Sequence, residues 1–311
     1  MQDDSNVGVK ACPLCNSSSV YERTLNNTEL VKCTMCKFVY ANISDEYIEA
    51  VNFHIGEKMI HSYRGLQTLV DRLWFRKIVE RVTRKTGVGS VVDVGCGNGL
   101  LLREFVKHGW RAYGVDPSPW ATECAEGYEV FPCTLEEATL ESNHFEAVTS
   151  TALLEHLARP RSYVKEVLRI LKPGGCAYFN VPNYGSVTIK LGVSTFPSNL
   201  PPCHANFFTH KTIRKLFSEH GDNIQKLTVR SYGIPQTYGL YVYLHRWLRR
   251  LISSSKPSQS GAEAQVRPGG QVKPTEESYK RVFGRLFSAI YYHTGRPLYL
   301  GDKLEILVIK R

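Results

Sequence analysis

From residue 89 onward, short apolar runs alternate with segments whose apolar side chains recur every three or four positions. The runs at 90–95, 111–116, 129–133, 145–150, 175–181 and 224–230 have the length expected of buried strands. Helical patterns fall between them at 100–108, 119–126, 160–171 and 211–220. Such alternation predicts an α/β fold, a doubly wound sheet with helices on both faces. Leu304-Glu305-Ile306-Leu307-Val308-Ile309 reads as a last strand. Upstream, Leu66, Leu69, Val70, Leu73 and Trp74 stand at helical spacing before Gly87-Val88-Gly89 punctuates the chain. The pattern predicts a cysteine-paired module at 1–40, a helical linker or lid at 41–88 and a core at 89–230. A basic helical insertion at 231–299 and a final core strand at 300–311 complete it. Within the insertion, 253–278 is rich in Ser, Pro, Gly and Gln, which predicts disorder, flanked by amphipathic helices at 240–252 and 279–292.

Composition sharpens this picture. Hydrophobic content of 42% and charged content of 22% fit a soluble globular protein. No apolar run is long enough to span a bilayer, and the acidic start Met1-Gln2-Asp3-Asp4 is unlike a secretory signal, so the expected location is cytoplasmic. The net charge of +10 is uneven: residues 231–311 carry 13 Lys/Arg against 5 Asp/Glu. That basic surface could meet an anionic substrate, lipid head groups or nucleic acid, or simply be a solvated face. The segment Tyr241-Val242-Tyr243-Leu244-His245-Arg246-Trp247-Leu248-Arg249-Arg250 could rest on a membrane surface, giving a peripheral contact.

Four of the nine cysteines form two close pairs, Cys12-Pro13-Leu14-Cys15 and Cys33-Thr34-Met35-Cys36, seventeen residues apart. Two such knuckles predict one tetrahedral zinc in a ribbon-like module. Four sulfur ligands leave no open position, so the metal is expected to be structural. Two disulfides or free thiols are the alternative. Cys96, Cys124, Cys133, Cys176 and Cys203 are scattered, mostly in apolar contexts, and read as small hydrophobes.

The chemistry centres on Val91-Val92-Asp93-Val94-Gly95-Cys96-Gly97-Asn98-Gly99, an apolar strand running into a glycine turn and then a helix. Such a turn lets backbone approach a nucleotide-like ligand. The next strand ends in Asp116, placed to accept hydrogen bonds from ribose hydroxyls. The spacing is G-x-G-x-G, not the G-x-G-x-x-G of dinucleotide binders.

These residues resemble the class I S-adenosylmethionine-dependent methyltransferases. Asp93–Gly99 is similar to that family's first motif, Val115-Asp116-Pro117-Ser118 to its ribose-binding turn, and Val167–Gly175 to the segment leading into its fifth strand. The resemblance implies a seven-stranded Rossmann-like sheet whose last strand inserts antiparallel. It implies S-adenosylmethionine as cofactor, with Asp93 at the methionine end, Gly95 and Gly97 packed against it and Asp116 on the ribose. After the third strand this chain has Cys133-Thr134-Leu135-Glu136 where the family often has an aspartate, so Glu136 is the substitute expected at the adenine. A nicotinamide-dinucleotide domain or a non-catalytic binding protein are the competing readings.

Methyl transfer also needs an acceptor to be aligned and, for a hydroxyl, deprotonated. Leu154-Glu155-His156 resembles the L-E-H of the ubiquinone-type small-molecule branch. Some relatives place a metal there, but Ala152 stands where a further carboxylate would be wanted. Pro201-Pro202-Cys203-His204-Ala205-Asn206-Phe207-Phe208-Thr209 resembles the H-x-x-[FY]-[FY]-[ST] segment of glycan-cluster methyltransferases, whose histidine faces the acceptor. His204 is therefore the first candidate for general base or acceptor contact, and His156 with Glu155 the second. Structural roles compete: Glu155 and His156 could fix the loop–helix junction, and His204 could cap the following helix. The expected function is methyl transfer, to oxygen or carbon, on a small-molecule, sugar or lipid-linked glycan acceptor. The alternative is an RNA methyltransferase whose zinc module docks the substrate, since some of these carry modules beginning C-P-L-C.

Overall fold

The computed structural model describes residues 9–52, 69–190, 201–233 and 301–311. Leu66, the predicted helices at 240–252 and 279–292, the basic segment Tyr241–Arg250 and the predicted disorder at 253–278 lie outside these residues.

A seven-stranded sheet forms the centre. Its strands are β4 (Ser90–Val94), β5 (Arg111–Val115), β6 (Glu129–Phe131), β7 (Phe145–Thr151), β8 (Leu171–Pro182), β10 (Ile224–Tyr232) and β11 (Lys303–Lys310). Their order is β10-β11-β8-β7-β4-β5-β6. β4 to β8 run parallel, whereas β11 lies antiparallel to both β8 and β10. Strand order reverses at β4, which pairs with β5 on one side and β7 on the other. The crevice at the carboxyl ends there is where such sheets bind ligands.

The layers follow from strand periodicity. Along β4, Val91 packs into one buried cluster, while Val92 and Val94 pack into the other. The first cluster is covered by α1 (Leu69–Thr86) and α2 (Leu100–Lys107), through Ile78, Val79, Val82, Leu102 and Phe105. Residues 69–86, within the expected linker or lid, thus form a core layer. The opposite face is covered by α4 (Pro160–Ile170) and α6 (His210–Ser218). Pro160 occupies the first turn of α4, where its missing N–H costs nothing. Thr209 and Thr212 cap α6 reciprocally, Thr209 Oγ1 accepting from Thr212 N–H at 3.2 Å. Arg81 of α1 pairs with the buried Glu305 of β11, which ties the last strand to the first core helix.

The predicted strands and helices of the core recur within a few residues of their expected ends, except that β8 begins four residues early, at Leu171. There Phe145 pairs with Leu171 across a register irregularity, so the Lys172-Pro173-Gly174-Gly175 turn bulges within the strand. Short helices α3 (Pro119–Glu123) and α5 (Val187–Lys190) follow the carboxyl ends of β5 and β8.

The N-terminal module is a second sheet, of β1 (Ser19–Leu25), β2 (Thr28–Cys33) and β3 (Val39–Ala41). It does not stop at residue 40. β3 pairs antiparallel with β9 (Asn206–Phe207), from the chain following the fifth core strand. Leu14, Val31, Phe38 and Tyr40 belong to the same buried cluster as the core sheet. Phe38 is fully buried with its ring 5.1 Å from that of Phe208. Burying a side chain of this size is worth about 2–3 kcal/mol. Too short to enclose a core of its own, the module completes one against the larger domain.

Candidate active site

The glycine turn is held by its neighbours. Gly95 N–H donates to the Val115 carbonyl at 2.8 Å, and Gly97 N–H to Asp116 Oδ2 at 2.9 Å. Asp116 Oδ1 accepts from Ser118 N–H at 2.9 Å. Both carboxylate oxygens therefore brace backbone, with lone pairs left for a ligand's hydroxyls. Gly95 and Gly97 have φ of 74° and 52°, values that side chains disfavour. A Cβ on Gly95 would come within 3.2 Å of Leu153. Leu153 leads into the turn Leu154–His156, so the glycine cradle and that turn are in contact.

Asp93, at the end of β4, is buried and accepts from Thr149 Oγ1 of β7 at 2.7 Å. Burial pushes its carboxyl up to about 7, with the Asp116 charge adding and the Thr149 hydroxyl opposing. An unpaired buried carboxylate of this kind favours a cation. Glu136 is exposed on the loop after β6; its neighbour Glu137 accepts from Thr134 N–H at 2.9 Å and Thr134 Oγ1 at 2.8 Å.

Two loops converge beside this cradle. Ala152, at φ 52°, turns the chain out of β7 into Leu154–His156. The loop carrying His204 is stapled to that turn: Ala205 N–H donates to the Glu155 carbonyl at 2.9 Å. Asn206 Nδ2 donates to the Leu154 carbonyl at 3.1 Å and the Leu157 carbonyl at 2.6 Å. The His156 and His204 rings meet edge to face with centroids 4.7 Å apart. His156 Nδ1 lies 2.8 Å from the Cys203 carbonyl and 3.2 Å from Asn52 Oδ1. Thr209 and Thr212, not His204, cap α6.

The electrostatics differ between the two histidines. His204 is buried, which drives its imidazole down to about 2, with the positive charge of His156 and Lys303 adding. Burial raises Glu155, against the pull of His156 and Lys303. Lys303, half-buried at the start of β11, is held below the ammonium range by burial despite Glu155. Cys203 is pushed up to about 11 by burial, Glu155 adding.

Sequence reasoning missed Cys203, Asn52 and Lys303. Cys203 adjoins His204 in one motif, which was a usable signal. Lys303 lies one residue before the predicted last strand, and antiparallel insertion carries that strand's start to the carboxyl end of the sheet. Asn52 has no signal, because only folding brings it to His156.

In the N-terminal module, Cys12 and Cys36 sulfurs are 3.5 Å apart and those of Cys15 and Cys33 3.4 Å apart. All four lie within 4.8 Å of one another and none is in a disulfide. Asn16 and Lys37 follow the second cysteine of each pair with φ of 58° and 62°, so the two knuckles are near copies. Cys36 N–H also donates to Cys33 Sγ at 3.4 Å. The donor set fits one tetrahedral thiolate-bound ion.

Comparison with known proteins matches this architecture. A family model described as a methyltransferase domain matches residues 63–227, just over half of the 311 residues. The chain is 31% identical over 123 residues to a ubiquinone biosynthesis O-methyltransferase of Coxiella burnetii, covering 37% of this chain and 52% of that protein. It is 30% identical over 116 residues to the mitochondrial ubiquinone biosynthesis O-methyltransferase of Mus musculus, covering 33% and 31%. The chain thus spans about half of the first and a third of the second. Among solved structures, the plantazolicin methyltransferase BpumL shares the fold at a TM-score of 0.52 and 14% identity, covering 86% of this chain and 100% of that one. A Thermotoga maritima protein described as a possible histamine N-methyltransferase does so at 0.50 and 19%, covering 83% and 99%. The glycine cradle braced by Asp116, the antiparallel last strand and the family match make this chain a member of the class I S-adenosylmethionine-dependent methyltransferases.

Proposed function

We propose that this protein transfers a methyl group from S-adenosylmethionine to a hydroxyl of a small-molecule acceptor, bound against His156 and His204. The observation that carries the reading is the juxtaposition of those two rings, one of them in the turn that begins after Leu153, whose side chain faces Gly95. The O-methyltransferase relatives favour oxygen as the target.

Asp93 would take the donor's ammonium group, Asp116 the ribose hydroxyls, and Gly95 and Gly97 would admit the ligand against backbone. Glu136 would stand at the adenine end. When bound, the donor supplies an activated methyl on a sulfonium. The residues of this chain align the acceptor, exclude water and receive a proton. Burial changes the expected role of His204: an imidazole as weakly basic as this is a poor proton acceptor, so His204 would be an acceptor contact rather than the base. Glu155 and Lys303 would set the field around the two histidines. The four cysteines Cys12, Cys15, Cys33 and Cys36 would hold a structural zinc that keeps β3, and through it β9 and the His204 loop, in place.

The test is calorimetry with S-adenosylmethionine and with its thioether product on the zinc-loaded protein. A mass-spectrometric screen of phenols, sugars and lipid-linked glycans as acceptors then follows. Micromolar donor binding and a singly methylated hydroxyl are expected. No donor binding at millimolar concentration removes the reading. Methylation of RNA instead would favour the docking role for the module.

A further inference from the structure

We infer that His156, Cys203 and His204 form a second transition-metal site, separate from the four-cysteine centre, whose ion keeps a position open toward the acceptor. The role of that open position rests on the proposed function; the site itself does not.

Geometry is the first support. One ligand atom from each of the three side chains lies within 4.8 Å of the others. Nitrogen and sulfur donors on one tetrahedral zinc are separated by about 3.3–3.6 Å, so small side-chain rotations close the set. The two loops are already fastened together, by Ala205 to Glu155 and by Asn206 to Leu154 and Leu157. The ring of His156 is further tied to the Cys203 carbonyl, so imidazole and thiol ride on one frame.

Unsatisfied polarity is the second, independent support. His204 is only 6% exposed, and no hydrogen bond to its imidazole occurs among the described residues. Glu155 is 1% exposed and its Oε2 has no partner there either. An orphaned carboxylate oxygen at this depth costs free energy and needs a reason. A dication beside Glu155 would stabilise it.

Chemistry selects the ion. Two imidazoles and one thiol suit zinc or its neighbours and not magnesium or calcium. Three protein ligands with a fourth position for an oxygen distinguish this site from the closed Cys12, Cys15, Cys33 and Cys36 centre. The lack of a carboxylate at Ala152 does not count against it, because two of the three donors, Cys203 and His204, come from the loop after the fifth parallel strand. An acceptor with a hydroxyl, or a water in its absence, is the class of ligand the open position takes.

The experiment is a metal count on the full chain, zinc-loaded and dialysed, with donor affinity measured in parallel as a check of folding. The wild type should hold about two zinc ions per chain, and Cys203→Ser and His156→Asn about one each, with donor affinity unchanged. Cobalt substitution gives a second readout: part of the visible absorption of the wild type should vanish in Cys203→Ser. One ion per chain in the wild type, or two retained in a folded Cys203→Ser, overturns the inference. Should both variants fail to bind donor, the wild-type count and the cobalt spectrum decide. Two ions in a protein that ignores the donor would sink the proposed function and leave this site standing.

Discussion

The proposed donor end and the proposed acceptor end of this molecule are built in opposite ways. Asp93, Gly95, Gly97 and Asp116 come from one strand, one turn and the next strand, within 24 residues of chain. Their geometry is set by backbone hydrogen bonds to neighbours such as Val115 and Ser118. The acceptor end joins Asn52, Glu155, His156, Cys203, His204 and Lys303, and leans on the cysteine module through β3 and β9. A cradle made of local chain tolerates change elsewhere. A pocket made of distant segments inherits every weakness of the elements that carry it.

The largest expected effect breaks the acceptor end alone. Cys33→Ser should unfold the module and release β9, cutting methyl transfer by about a hundredfold or more while donor affinity stays within about threefold. Paired calorimetry and turnover measurements would check this; an equal loss of donor affinity would show that the ends are not independent. Next, Asp93→Asn should weaken donor binding by about 30- to 100-fold, the worth of a charge-assisted hydrogen bond, with little change in melting temperature.

The third prediction is the pH dependence of the donor end. Asp93 sits at about 7 in the folded protein against an ordinary 3.8. Its raised value means that its contribution to stability without donor is complete below about 4 and is lost as pH rises through 7. A cationic donor needs the ionised form, so affinity should fall up to about tenfold per pH unit below 7 and level off above it. Calorimetry in buffers of different ionisation enthalpy should report one proton released at pH 6. A flat profile, or the same slope in Asp93→Asn, would reject this.

The smallest effect probes the hinge between module and core. Arg23 of β1 donates to the Tyr184 hydroxyl at 2.6 Å and lies over its ring at 5.5 Å. Exposed contacts of this kind are weak, so Arg23→Ala should raise the acceptor KM about threefold and leave kcat and donor affinity unchanged. A larger change would mean that the hairpin touches the acceptor itself.

Element order, the glycine turn and the cysteine pairs were legible in the chain, because each is a local pattern: alternation of apolar runs, three glycines after a strand, two knuckles. Residue spacing within a single turn determines backbone path, and backbone path determines where Asp93 and Asp116 stand. Nothing in spacing could show that β3 pairs with β9, that Asn206 staples the His204 loop to Leu154, or that burial strips His204 of basicity. Nor could it show that Cys203, read as a small hydrophobe, stands beside the imidazole of His156. Those facts depend on which distant segments share a surface and how much water remains there. Desolvation and long-range packing belong to the assembled molecule alone.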